Sequence, residues 1–127
     1  MTYTVLIVDD SKLARMSVAK VLSTLHPDWK RIEAANATEA LQQTRDLSPE
    51  VVLVDFNMPG KDGVTLAAEL RVLDPRISVA VVSANRQVEV IKRTQAAGAT
   101  FLPKPVTETA LADFLSSAIE RQKADSR

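Results

Sequence analysis

Cysteine is absent from this chain of 127 residues, so it has neither a disulfide framework nor a thiolate metal site. That fits a reducing cytosol, and a cytoplasmic location is expected. Histidine occurs once, at His26, which leaves no donor set for a dedicated zinc site. An excess of either charge is missing too: 16 Lys and Arg balance 16 Asp and Glu. No global field therefore draws the chain toward nucleic acid or an anionic membrane. No apolar stretch approaches the roughly 20 residues of a membrane span. The opening MTYTVLIVDD has no basic region ahead of its apolar run, so it does not read as a secretion signal. With only three glycines, no strand-end loop has the glycine-rich turn that cradles phosphate. What remains is ordinary for a globular domain: 46% hydrophobic and 25% charged residues. One domain over residues 1–122 is expected, with 123–127 as a tail or the start of a linker.

Apolar runs of strand length alternate with segments of helical period. Thr4–Val8, Val51–Val54 and Ile77–Val82 are continuous β-rich runs, as expected of strands covered on both faces. Lys30–Ala34 and Phe101–Lys104 are weaker. Between them, Ser11, Asn36 and Thr107 stand where helix N-caps belong, and Gly98 suits a helix C-terminus. Leu13, Met16, Val21, Leu22 and Leu25 recur at roughly helical spacing. The pattern is βα repeated five times. Parallel strands need helical, right-handed crossovers, so the expected fold is α/β: a doubly wound, five-stranded parallel sheet in a three-layer sandwich.

In such a sheet, ligands gather outside the carboxyl ends of the strands. The residues found there are Asp9, Asp10, Asp55, Ser83 and Lys104. Two carboxylates near 4 Å apart repel by about 1 kcal/mol even in water. Lys104 supplies one compensating charge. A hard divalent cation supplies two, and Mg²⁺ suits a few carboxylates plus a phosphate oxygen, with Mn²⁺ as a substitute. A carboxylate beside such a cation and an ammonium has the parts for nucleophilic phosphoryl capture. Asp55, central in the sheet, is the candidate nucleophile, with Asp9 and Asp10 on the metal.

Taken together, VLIVDDS at 5–11, VVLVDFNMPGKDG at 51–63, VVSA at 81–84 and FLPKP at 101–105 resemble the receiver domain of response regulators in bacterial two-component signalling. The resemblance spans nearly the whole chain and implies a flavodoxin-like fold. It implies that Asp55 is the phosphoacceptor, and that Asp10 and the Asn57 backbone carbonyl bind Mg²⁺ directly while Asp9 acts through water. Lys104 would pair with the phosphoryl group, Ser83 would hydrogen-bond it, and small Ala84 would leave access. The Lys104–Pro105 bond is typically cis in the family. Phosphorylation would draw Ser83 inward, with Phe101 following, and reshape the surface of the fourth helix, fifth strand and fifth helix. A histidine kinase or phosphotransfer protein would be the donor, and another protein the target. Neither nucleic acid nor membrane is expected as a direct partner, and a dimer formed on phosphorylation is compatible. Departures from the family are the short Gly98–Phe101 segment, Pro103 inside the last strand, and Val106 where many relatives carry phenylalanine.

Taken alone, each feature has a plainer reading. Asp9-Asp10 is then a solvated strand end, Lys104 a surface lysine, Ser83 a helix cap, Phe101 core, and Gly60 and Gly63 turn residues of unusual φ. His26 and Trp29 read as structural or surface residues. Two other functions use similar parts. An aspartate-nucleophile phosphatase needs an acid/base two residues after the nucleophile, where Asn57 cannot transfer a proton. A receiver-like binding module that is never phosphorylated has no need of the acidic pocket. A switch that assists its own phosphorylation, rather than a turnover enzyme, is the leading expectation.

Overall fold

The computed structural model describes residues 2–125, in which five strands alternate with five helices. In chain order these are β1 (Thr4–Val8), α1 (Lys12–Leu25), β2 (Lys30–Ala34), α2 (Ala37–Leu47), β3 (Val51–Asp55), α3 (Gly63–Leu73), β4 (Ser78–Ser83), α4 (Val88–Ala96), β5 (Thr100–Pro103) and α5 (Glu108–Asp125). All pairings are parallel, in the order β2-β1-β3-β4-β5. The winding reverses beside β1, so a crevice opens between the tips of β1 and β3.

The expected strands carry the core because side chains alternate between the two faces of a sheet. On one face Val5, Ile7, Leu53 and Val82 pack with Leu22 of α1 and with Leu111, Phe114 and Leu115 of α5. On the other, Leu6, Val8, Val52 and Val54 pack with Ala40 of α2 and with Leu66 and Leu70 of α3. Burying one such aliphatic side chain contributes about 1.5–3 kcal/mol. The caps at Ser11, Asn36 and Thr107 are made, accepting the N–H groups of Ala14, Glu39 and Ala110 respectively. Pro103 lies on an edge strand, where its missing N–H costs nothing to the ladder.

Four expectations need correction. Leu13 and Met16 are 75% and 54% exposed, and α1 turns Val18, Val21, Leu22 and Leu25 inward instead. The last helix continues to Asp125, so residues 123–125 are helical rather than tail; 126 and 127 lie outside the described residues. Ser83 does not cap α4, whose N-cap is Gln87. Gly60 has a positive φ of 83°, but Gly63 does not; its requirement is steric. Trp29 is buried, edge-on to Tyr3 and stacked on His26 at 3.8 Å, which makes the pair structural. Among the described residues, no helix is long and apolar enough to cross a membrane.

Candidate functional site

Strand register delivers the acidic residues to one place. Val8 pairs with Val54, so the next residues, Asp9 and Asp55, stand side by side at the strand tips. Asp9 extends the ladder on its other flank, its N–H donating to Ala34 O at 3.1 Å. One carboxylate oxygen from each of Asp9, Asp10 and Asp55 lies within 4.8 Å of the others. Asp9 and Asp55 are buried and Asp10 is exposed. Burial pushes the Asp9 carboxyl above the ordinary aspartate value; the Ser11 N–H, donating at 2.9 Å, opposes that, and the neighbouring Asp55 charge adds to it.

Lys104 comes from the far side of the crevice. Its N–H donates to Ser83 O at 3.0 Å, continuing the β4–β5 ladder, and the following bond to Pro105 is cis. The Lys104 ammonium lies 2.6 Å from Asp55 Oδ1 and 4.0 Å from Asp9 Oδ2. The 2.6 Å contact is an ion pair without hydrogen-bond alignment, so Asp55 Oδ1 is buried with no hydrogen-bond donor. One ammonium thus pairs with two of three clustered carboxylates, so the cluster keeps an excess of negative charge. Three hard oxygen donors with a residual negative charge fit Mg²⁺.

The other expected residues lie on β3, β4 and β5 or just beyond their ends. Ser83 is buried, its Oγ accepting the Asn85 N–H at 2.9 Å, and Ala84 is exposed. Asn57 lies exposed in the β3–α3 loop, two residues beyond Asp55. Phe101 is half-buried on β5, opposite Val81, and belongs to neither core cluster. A cavity of about 490 Å³ opens beside Asp9, Asp55 and Lys104, and Val106 forms part of its wall. Arg15 was not singled out by the sequence. Its guanidinium donates to Asp9 O and to Glu33 Oε1, both at 2.7 Å, tying the β1–α1 turn to β2. Its place one turn after the Ser11 cap was readable, but its partner on another strand was not.

Residues 5–116 match the family model described as the response regulator receiver domain. The chain belongs to that family. This receiver domain is 30% identical over 113 residues to the chemotaxis protein CheY of Thermotoga maritima, covering 88% of this chain and 93% of that protein. It is 30% identical over 102 residues to sporulation initiation phosphotransferase F of Bacillus subtilis, covering 80% and 81%. It is also 34% identical to a protein-glutamate methylesterase/protein-glutamine glutaminase of Moorella thermoacetica, over 97% of this chain but 30% of that longer protein. Among solved structures, a putative response regulator from Chloroflexus aurantiacus superposes with a TM-score of 0.84 at 27% identity, covering 94% and 99% of the two chains. A receiver domain protein from Methanospirillum hungatei reaches 0.87 at 24% identity, covering 98% and 99%, which shows the shared fold. The receiver domain is thus a module of two-component signalling.

Proposed function

We propose that this receiver domain is a phosphorylation switch in which Asp55 accepts a phosphoryl group from a histidine kinase or a phosphotransfer protein. The observation that carries the reading is the buried Asp55 Oδ1, without a hydrogen-bond donor, set between Asp9 and Lys104. An Asp55 carboxylate oxygen attacks phosphorus. The P–N bond to the donor imidazole breaks, and its electron pair returns to the ring nitrogen. Lys104 turns from the carboxylate to the transferred phosphoryl oxygens, and the Ser83 hydroxyl donates to one of them. Asp10 and the Asn57 carbonyl, aided by Asp9, would hold Mg²⁺, which when bound would supply charge neutralisation for phosphoryl transfer. Water later attacks phosphorus, releasing phosphate and restoring the Asp55 carboxylate.

The readout follows from Ser83. To reach the phosphoryl group its hydroxyl leaves the Asn85 N–H, and half-buried Phe101 moves toward the space beside β4. The face formed by α4, β5 and α5 then changes shape for a protein partner, a two-state element biased by added charge. Incubation with Mg²⁺ and acetyl phosphate, followed by intact mass, is expected to show one added phosphoryl group. An unchanged mass contradicts the reading.

The acidic cluster also sets a pH dependence. Because the Asp9 pKa is raised on folding, its ionised form weakens the fold above that pKa, and the penalty is relieved as pH falls through it. A bound cation reverses the balance by favouring the ionised carboxylate, and protons compete with it. The rise in melting temperature produced by Mg²⁺ is therefore expected to shrink as pH drops from neutral toward the ordinary carboxylate range. Thermal melts with and without Mg²⁺ across that range check this; a pH-independent shift contradicts it.

A further inference from the structure

Asp10 is the exposed member of the acidic cluster, and among the described residues its carboxylate makes no hydrogen bond or ion pair. Its place is therefore set by the backbone on either side. Before it, Asp9 is held at three atoms. The Asp9 N–H donates to Ala34 O at 3.1 Å, Oδ1 accepts the Ser11 N–H at 2.9 Å, and the carbonyl oxygen accepts from the Arg15 guanidinium at 2.7 Å. After it, Ser11 caps α1 through the Ala14 N–H. The carbonyl that Arg15 grips belongs to the peptide joining Asp9 to Asp10. Because that peptide is planar, Arg15 fixes the direction in which Asp10 leaves it.

An arginine is an unfavourable choice for this turn on local grounds. Arg15 is the fourth residue of α1, its N–H donating to Ser11 O at 3.1 Å, and a cation so near a helix N-terminus opposes the dipole. Its contacts account for it. One guanidinium nitrogen reaches back to Asp9 O while another meets Glu33 Oε1 at 2.7 Å, a two-way grip that suits a planar fork better than an ammonium. Glu33 stands opposite Ile7 in the β1–β2 ladder, on the face that α1 covers. The Arg15 side chain is 15% exposed, so water competes little for the guanidinium.

We propose that Arg15, clamped by Glu33, is a positioning residue for the cation site. It sets the Asp9–Asp10 peptide so that the Asp10 carboxylate stands beside Asp55 before an ion binds. The inference rests on the reading of Asp9, Asp10 and Asp55 as the residues around Mg²⁺. Two other roles for Arg15 predict different signs. As a local charge alone it would repel a second cation, so its removal would tighten Mg²⁺ binding. As a prop for the fold alone it would leave the affinity of the folded protein unchanged.

Mg²⁺ titrations followed by amide NMR test this, because the shifting peaks of the native spectrum come from folded molecules only. Arg15→Ala is expected to weaken Mg²⁺ binding about tenfold, the low end for losing a group that orients a metal ligand. Glu33→Ala is expected to weaken it less, and to add nothing in an Arg15→Ala background, because the two side chains act as one clamp. Arg15→Lys keeps the charge but not the fork, and is expected to fall between Arg15→Ala and wild type; it carries the test if the alanine variant does not fold. Unchanged or tighter binding in the arginine variants overturns the inference and leaves the metal site standing. A Glu33→Ala loss that adds in full to that of Arg15→Ala overturns the clamp in the same way. A wild type that binds no Mg²⁺ at millimolar concentration overturns both the inference and the reading beneath it.

Discussion

Asp55→Asn is expected to abolish phosphorylation by acetyl phosphate altogether while leaving the domain folded. The amide nitrogen and oxygen occupy the same volume, so packing at the tip of β3 is kept. The nucleophilic carboxylate is lost, and neither neighbour replaces it. Asp9 is engaged through Oδ1 by the Ser11 N–H, and Asp10 is exposed. Stability should change little, because the repulsion from two neighbouring carboxylates and the ion pair with Lys104 are lost together. Mg²⁺ affinity should fall, since a donor with full charge is gone. Intact mass and a thermal melt on the same sample separate these outcomes. Phosphoryl gain equal to that of wild type would show that the acceptor is elsewhere.

Gly63→Ala is expected to be the most damaging single methyl in the site loop. A Cβ at this position would overlap the Asp55 carbonyl oxygen and sit 2.9 Å from Asp55 C and Phe56 Cα. Those atoms are backbone and cannot swing aside. The Gly63 N–H also donates to Phe56 O at 3.0 Å, while the Phe56 N–H donates to Val82 O at 2.9 Å. Relieving the clash therefore loosens the turn that follows Asp55 and its link to β4. A loss of about 3 kcal/mol or more is expected, at the upper end for overpacking. Phosphorylation of the remaining folded protein should slow about tenfold or more, because the nucleophile moves with its carbonyl. Gly60→Ala is the control. Nothing lies within 4 Å of its added methyl, and only its φ of 83° resists, at about 1–2 kcal/mol. Urea denaturation of both variants checks the ordering; equal stabilities for Gly63→Ala and wild type would contradict it.

The contrast between these glycines shows where sequence reading stops. Both were legible as turn residues, yet one answers to φ and the other to an approach of backbone that only three dimensions reveal. The buried strands were readable because burial on both faces leaves uninterrupted runs such as VLIV and VVLV. The clustering of Asp9, Asp10 and Asp55 was readable because they follow or end such strands and parallel order brings the ends together. Leu13 and Met16 misled because helical spacing identifies a stripe but not its width: both fall in the first turns of α1, beyond the part that packs on the sheet. Arg15 escaped notice because its role is set by Asp9 O and Glu33, a contact across β1 and β2 with no local signature.

The phosphatase alternative rests on the residue two positions after Asp55. Asn57 there offers an amide and a carbonyl but cannot serve as a general acid or base, which counts against that reading.

Locating the phosphoryl group decides the account. After treatment with Mg²⁺ and acetyl phosphate, borohydride reduction turns an aspartyl phosphate into homoserine, which peptide mass mapping can place. Homoserine at position 55 alone, and none when Mg²⁺ is chelated beforehand, is the outcome that this site geometry requires. Homoserine at position 9 or 10, or at 55 to the same extent without the metal, would contradict it.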